Sequence, residues 1–574
     1  MKFGLNTSSA TDSSAEFADV RSLDVVHAFR DLLDLHPETV LFKWRDNKQE
    51  KSLTRGEVKR AVLALSDRLT ELGFQPGDRV ALISESRPEW CIAFLAIVKA
   101  GLVVVPVDVK ATEAEIASLL SHAQPRLIFI SRDCAAQWPA LAAPAAAKVE
   151  IVNPMDGGGL THVPADYVEK HHHSSGSSDA PAVLAYTSGT SGSPKGVMLT
   201  MKNLWFEVRS LSLAFDFGRH DVMLSILPLN HMLELTGGIL SAMFTRSQIV
   251  FANTLLPNEI LDLAARHGVT QMVTVPQFLE HMHRGILRGI ERQGRLARFF
   301  VGCCLRVAPH IPSFEWRRRI FAGIHGKLGG QLRAFIVGGA ALRPEVGNFF
   351  QTIGVHVFQG YGLTETSPVA TVNRRKENRI GSVGRPLPGV RIRIETERPE
   401  DAFGEILVRG PNVMVGYYKN RQATEDAIDR DGWFHTGDVG YLDGQGYLWI
   451  TGRKKNLIVT MGGKKVLPDE VEEPLGRHEN LAELCVMGIK ATTGPSAGSE
   501  QVVAVIRPNE TWRDLDDETL LRRFESDAIA LLEPVAAYKR PARYLVYRKE
   551  FPKTSTRKIK RRELIEKLRE EGYL

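Results

Sequence analysis

Residues 185–200 read AYTSGTSGSPKGVMLT. Its central part, Thr187 to Gly196, holds five hydroxyl residues, three glycines, one proline and one lysine. Glycine tolerates φ > 0, so such a loop can turn its backbone N–H groups onto an anion. The hydroxyls of Thr187, Ser188, Thr190, Ser191 and Ser193 add short donors, Gly189 and Gly192 supply the turns, and Lys195 adds a positive charge. Apolar runs on both sides, Ala182 to Ala185 and Val197 to Leu199, predict a strand–loop–strand cradle for phosphate. A P-loop needs Gly before its Lys and Ser or Thr after it. Pro194 and Gly196 occupy those positions, which excludes that reading. A flexible polar linker is a poor match, because a Pro-Lys-Gly between two apolar runs is not linker composition.

Working outward, helical patterns alternate with short β-branched runs. RGEVKRAVLALSDRLTELGF and WCIAFLAIVKAG read as helices, and DRVALIS and LVVVPVD as strands. Such alternation predicts an α/β fold with a mainly parallel sheet. The pattern continues to about residue 450, then changes after GRKK (Gly452 to Lys455) to a smaller α+β unit ending in the charged helix RRELIEKLREEG. The expected organisation is a large region 1–451 with several α/β subdomains, a hinge at 452–456 and a small mobile domain 457–574.

Bulk properties set bounds. A chain of 574 residues is long enough for two or more domains, and 43% hydrophobic with 24% charged residues is ordinary for folded proteins. The net charge of +6 is modest, although RKIKRRE (Arg557 to Glu563) and WRRR (Trp316 to Arg319) concentrate basic residues. Charge alone does not choose between anionic small molecules, membrane and nucleic acid. Five cysteines in no CxxC pair point to a reducing compartment rather than a disulfide framework or zinc site. The adjacent Cys303 and Cys304 are expected to fill core. Residues 1–20 are polar, Ser-rich and expected to be mobile, and show no secretory h-region. The longest apolar stretch, Cys91 to Val109, is interrupted by Lys99, Pro106 and Asp108, so no membrane span is expected. HHHSSGSS at 171–178 is read as a polar surface loop.

Three further stretches carry chemistry: QGYGLTETSP (Gln359 to Pro368), GWFHTGDVGYLDGQGYLWITGRKKNLIV (Gly432 to Val459) and FPKTSTRKIKRREL (Phe551 to Leu564). With the phosphate loop they form an ordered set that resembles the adenylate-forming superfamily of acyl-CoA synthetases, adenylation domains and luciferases. The resemblance spans roughly residues 25–570. It implies that Tyr361, between Gly360 and Gly362, packs on adenine, that Thr364 contacts the α-phosphate, and that Glu365 holds Mg²⁺. It assigns Asp438 to the ribose hydroxyls, Arg453 to ribose and phosphate, and Lys455 to the hinge. Gly338, Gly339 and Ala340, in IVGGAAL, would wall the adenine and acyl pocket. Lys558 would bridge carboxylate and α-phosphate. Arg557 stands where glycine is usual, which leaves Lys553 and Lys560 as rivals, and Asn456 stands where the family commonly has Asp.

The implied reaction joins a carboxylate to the α-phosphorus of ATP with loss of pyrophosphate, then lets the thiol of CoA displace AMP. Met461 to Lys464, with Gly462 and Gly463, would line the pantetheine tunnel. LPLNHMLELTGG, with His231 at the acid gate, and VTVPQFLEHMHRGI are similar to long-chain fatty acyl-CoA synthetases. The extra stretch 287–330 mixes apolar and basic residues, which suits either a peripheral membrane contact or a helical pair packed on the core. The expected location is cytoplasmic, in part at a membrane surface, with no nucleic-acid partner. Alternatives are a fatty acyl-AMP ligase loading an acyl carrier protein, and a non-catalytic nucleotide-binding protein of the same fold. A homodimer is admitted by the resemblance, though no residue here argues for it.

Overall fold

The computed structural model describes residues 33, 36–46, 49–139, 151–152 (backbone only), 163, 167, 170, 179–187, 195–252, 254, 256–398, 403–460, 464–490, 500–553 and 559–574. The expected features at 1–20, 171–178, 188–194, 461–463 and Lys558 lie outside them. The chain divides into two compact units: 1–392 with 408–434 and 446–448, and 393–407 with 435–445 and 449–574. The expected hinge, 452–456, therefore falls inside the second unit.

The first unit holds two large sheets, mainly parallel as the alternating sequence predicts. One has nine strands in the order 385–386, 371–372, 356–361, 334–337, 271–274, 222–225, 248–251, 40–46, 49–54. Its central pairings are parallel and its two edges antiparallel. The other has seven, in the order 416–417, 195–200, 181–187, 103–106, 79–83, 127–130, 151–152. Its run from Pro181–Thr187 to 151–152 is parallel, and the Pro181–Thr187/Lys195–Thr200 hairpin makes an antiparallel edge.

All four expected elements form, at Arg55–Glu71, Arg79–Ile83, Pro88–Lys99 and Val103–Pro106. Helix Arg55–Glu71 begins at a capping box, Thr54 with Glu57, which satisfies two orphan N–H groups. Helix Pro88–Lys99 is buried from Pro88 to Val98, and packs against helix Arg55–Glu71 and strands of both sheets. That explains why WCIAFLAIV is apolar on every side.

In the second unit, strands Leu481–Lys490, Glu500–Pro508 and Arg543–Val546 form a sheet buried on both faces. Side chains alternate across a strand. Val486, Val502, Ala504 and Ile506 accordingly meet Leu520 and Phe524 on one side. Cys485, Met487, Val503 and Val505 meet Tyr547, Phe551, Leu564 and Leu568 on the other. The charged C-terminal helix forms at Arg561–Glu570, held by Leu564 and Leu568. A four-stranded sheet, order 391–395, 404–409, 434–442, 448–453, carries the TGD and GRKK segments.

The expectation that both Cys303 and Cys304 fill core is corrected. Cys304 packs on the core, whereas Cys303 is exposed. Neighbours in a helix point about 100° apart, so one inward residue turns the other out. No helix among the described residues is long and apolar enough to cross a membrane.

Candidate active site

The two strands expected to flank the candidate phosphate loop, Pro181–Thr187 and Lys195–Thr200, pair antiparallel as the sequence predicts. Thr187 sits opposite Lys195 in the antiparallel register, so the segment 188–194 starts and ends at one point on the sheet edge. At Gly196 an added Cβ would lie 2.8 Å from Leu184 Cδ1, the movable end of that side chain. Ser188, Gly189, Thr190, Ser191 and Gly192 are outside the described residues.

Lys195 leaves the second strand with its ammonium 4.9 Å from the centre of the Tyr417 ring. Tyr417 lies on the next strand, paired with Val197, and its hydroxyl donates to Glu365 Oε1 at 2.9 Å. Burial, helped by the Glu365 charge and hydrogen bond, pushes the Tyr417 phenol well above its ordinary value, so it stays a donor. The chain Lys195–Tyr417–Glu365 thus brings together two expected site residues through one that sequence reading missed. The only sequence signal for Tyr417 was an aromatic pair after glycine in VGYYKN.

Glu365 is half-buried in a single 3₁₀ turn, Thr364–Thr366, after strand His356–Tyr361. The turn is tied from several directions. Thr366 Oγ1 accepts the Leu363 N–H at 2.9 Å, and Glu365 O accepts the Met414 N–H at 2.9 Å. Ser367 Oγ donates to Asn412 O at 2.8 Å, and Asn412 Nδ2 returns to Val369 O at 3.0 Å. The Ser367–Pro368 bond is cis. Gly362 admits no side chain, since a Cβ would stand 1.9 Å from Pro368 O. Tyr361 is buried at the strand end, with Gly360 paired to Val372. Glu207, fully buried, accepts the Val369 N–H; burial holds its carboxyl well above the usual carboxylate range.

Gly338 and Gly339 follow strand Ala334–Val337, and Gly339 has φ +86°, where glycine alone is unstrained. Leu233 packs over Gly338, whose Cβ would meet Leu233 Cδ2 at 3.1 Å. Ala340 is exposed beside them. Leu233 opens a π-helix, Leu233–Leu240, directly after His231. Such helices are rare and recur at functional sites. His231 Nε2 lies 4.0 Å from Asp108 Oδ2. Glu234, in the same π-helix, is fully buried. Burial, opposed in part by the Ser225 hydroxyl, pushes its carboxyl up to about 8. Near it a small recess with a cavity volume of about 10 Å³ is lined by Leu211, Phe215, Met223, Gly237, Gly238 and Ile336 among others.

In the second unit, Asp438 is buried and Arg453 Nε reaches its Oδ1 at 2.9 Å, so these two expected residues meet on adjacent strands. Lys454 donates to Glu405 Oε2 at 2.7 Å, immediately before Lys455. Burial would raise the Glu405 carboxyl, but Lys454 and the Gly437 N–H bring it below the ordinary value. The segment that carries Lys558 begins and ends together: Lys553 and Ile559 form an antiparallel bridge, and the Lys560 N–H donates to Pro552 O at 2.8 Å. Lys553 pairs with Glu483 and, at 3.1 Å, with Glu550. Lys560 lies 3.4 Å from Glu563.

Parallel sheets carrying a hydroxyl- and glycine-rich hairpin, with a lysine and a carboxylate joined at its mouth, define an adenylate-forming enzyme. The chain belongs to the AMP-binding enzyme family, whose model matches residues 29–418. It is 31% identical over 478 residues to the long-chain-fatty-acid–CoA ligase FadD15 of Mycobacterium bovis, covering 79% of this chain and 78% of that one. It is 29% identical over 522 residues to the sulfoacetate–CoA ligase of Cupriavidus necator, covering 90% and 92%. Among solved structures, ATP-bound MatB from Rhodopseudomonas palustris superposes with a TM-score of 0.76 at 27% identity, over 95% of this chain and 99% of that one.

Proposed function

We propose that this chain activates a long-chain fatty acid with ATP and transfers the acyl group to CoA, releasing pyrophosphate and AMP. The observation that carries the reading is the Lys195–Tyr417–Glu365 chain at the mouth of the Thr187/Lys195 hairpin. A carboxylate is already ionised at neutral pH and needs no general base to attack phosphorus. The barrier lies in bringing two anions together, so fixed positive charges and donors are what the site must supply.

In this reading Lys195, with the N–H groups and hydroxyls of Thr187, Ser188, Gly189, Thr190, Ser191 and Gly192, screens the outer phosphates. Tyr361 stacks on adenine between the Gly339–Ala340 turn and Gly362. Thr364 donates to the α-phosphate. The Glu365 carboxylate is a hard oxygen donor of the kind Mg²⁺ prefers, and Tyr417 fixes its direction. Bound there, Mg²⁺ would neutralise phosphate charge. Asp438 and Arg453 take the ribose, Lys558 bridges the carboxylate and α-phosphate, and 452–456 is a hinge about Lys455 for the 457–574 domain. Gly462 and Gly463 line the thiol's route. Pairing of Lys553 with Glu483 and Glu550 supports Lys558 over that rival.

The fatty-acid assignment rests on the FadD15 likeness. The test is pyrophosphate release with Mg-ATP across a fatty-acid length series, with and without CoA. Release peaking at long acids with thioester formation is the expected result. Adenylate without thioester would transfer the reading to an acyl-AMP ligase serving a carrier protein. Activity on short or sulfonated acids alone would overturn the chain-length assignment.

A further inference from the structure

Strand Lys195–Thr200 runs directly into helix Met201–Ala214, with Thr200 as the capping residue between them. Residues four apart share a helix face. On one such face stand two polar side chains, Asn203 and Glu207, which are 7% and 0% exposed. A polar group buried this deeply costs free energy unless hydrogen bonds replace its water. Asn203 Oδ1 accepts the Thr200 N–H at 2.8 Å, and its Nδ2 donates to Pro411 O at 2.7 Å and to Val413 O at 3.0 Å. Glu207 Oε1 accepts the Val369 N–H, while its Oε2 has no hydrogen-bond partner among the described residues.

Both side chains end on the two segments that hold Glu365. In the first, the Met414 N–H donates to Glu365 O at 2.9 Å, and Asn412 Nδ2 donates to Val369 O at 3.0 Å. In the second, Ser367 Oγ donates to Asn412 O at 2.8 Å, and the Ala370 N–H donates to Tyr361 O at 2.7 Å. Val369 is therefore fixed at its N–H by Glu207 and at its carbonyl by Asn412. The turn Thr364–Thr366 lies between these fixed points and strand His356–Tyr361. An apolar side chain would fill the Glu207 position without the cost of burying a carboxyl. What Glu207 adds is an acceptor for a buried backbone N–H that packing alone would leave unpaired. Tyr417 acts on the Glu365 carboxylate itself, whereas Glu207 acts on the backbone four residues further on.

We infer that Glu207, supported by Asn203, is a positioning residue for Glu365: through Val369 it fixes the Thr364–Thr366 turn against the helix that follows Lys195, so that lysine and carboxylate address the same phosphates. This inference rests on the reading of Glu365 as the Mg²⁺-holding carboxylate. Three variants separate positioning from mere packing. Burial keeps the Glu207 carboxyl uncharged, so Glu207→Gln retains both its neutrality and its acceptor. Glu207→Met keeps the length but offers only a weak acceptor. Leu204→Ala, at a buried position of the same helix, lowers stability without removing a hydrogen bond.

Hydrogen exchange is followed in the free protein on a peptide spanning 363–370, beside thermal melts and pyrophosphate release over an Mg²⁺ titration. In Glu207→Met, exchange of that peptide and the Mg²⁺ concentration for half-maximal release are each expected to rise about tenfold, with a smaller change in the acid's KM. Glu207→Gln should stay within about twofold of wild type on both. Leu204→Ala should lower the melting temperature and leave the Mg²⁺ requirement in place. Wild-type exchange in Glu207→Met, or faster exchange with an unchanged Mg²⁺ requirement, would overturn the inference. So would Glu207→Gln as impaired as Glu207→Met, or the same Mg²⁺ shift in Leu204→Ala. Absence of pyrophosphate release by the wild type with every acid would overturn the proposed function instead, and the exchange data would still decide whether Glu207 holds the turn.

Discussion

Tyr417→Phe removes one oxygen from the candidate site and leaves everything else in place. The ring stays beneath the Lys195 ammonium, 4.9 Å from its centre, and the Gly416–Tyr417 strand keeps its pairing with Val197 and Met198. What is lost is the 2.9 Å hydrogen bond to Glu365 Oε1. A hydrogen bond to a charged group contributes roughly 1.5–3 kcal/mol. Glu365 is half-exposed, so water replaces part of it, and the expected net cost is about 1 kcal/mol. That corresponds to about a fivefold change in an equilibrium or rate constant. Because Tyr417 acts through Glu365, the change should fall on the Mg²⁺ concentration for half-maximal pyrophosphate release, with a smaller effect on the acid's KM. Tyr417→Leu should lose more, since Lys195 also gives up its aromatic face, about 0.5–1 kcal/mol more. The assay is initial-rate pyrophosphate release over an Mg²⁺ titration at saturating ATP. An unchanged Mg²⁺ dependence in Tyr417→Phe would refute the positioning role. Equal losses in the Phe and Leu variants would instead remove the ring beneath Lys195 as a contributor, because the hydroxyl would then account for the whole effect.

Three other outcomes are expected. Lys558→Ala should lower pyrophosphate release by about a hundredfold or more, as removal of a transition-state charge partner does. Lys553→Ala should keep most of that activity and show its effect in thermal melting, through the buried Glu483; the reverse ranking would reassign the bridging lysine. Gly237→Leu, where a Cβ meets only Leu233 Cδ1 at 3.6 Å, tests whether the acyl tail runs along the π-helix: the profile should move toward shorter acids, and an unchanged profile would place the tail elsewhere. Glu234 is protonated in the folded state up to about pH 8 but ionises near its ordinary 4.5 when unfolded. The folded state therefore binds the extra proton between these values, and stability should fall as pH rises through that window, by up to about 1.4 kcal/mol per unit. Denaturant melts of Glu234→Gln should show a flatter slope there, and an identical slope would remove Glu234 as its source.

The sequence alone was sufficient for everything that short windows encode. Helical patterns alternating with short β-branched runs located the helix and strand pairs from Arg55 to Pro106, and the apolar flanks of TSGTSGSPKG marked a strand–loop–strand. Four motifs in order identified the family, because each is a local run whose residues act together. Contacts between distant segments were decided by the tertiary structure. Tyr417 lies 52 residues from Glu365, and only the edge strand beside Lys195 brings the two together. Glu234 reads as an ordinary charge in HMLELTGG until the π-helix buries it completely. Nothing in FPKTSTRKIK shows that Lys553 meets Glu483, a partner far along the chain. Cys303 and Cys304 look alike in a string, and helical phase against the core separates them. Propensity and spacing are properties of neighbours along the chain, whereas burial and pairing depend on which surfaces the fold presses together.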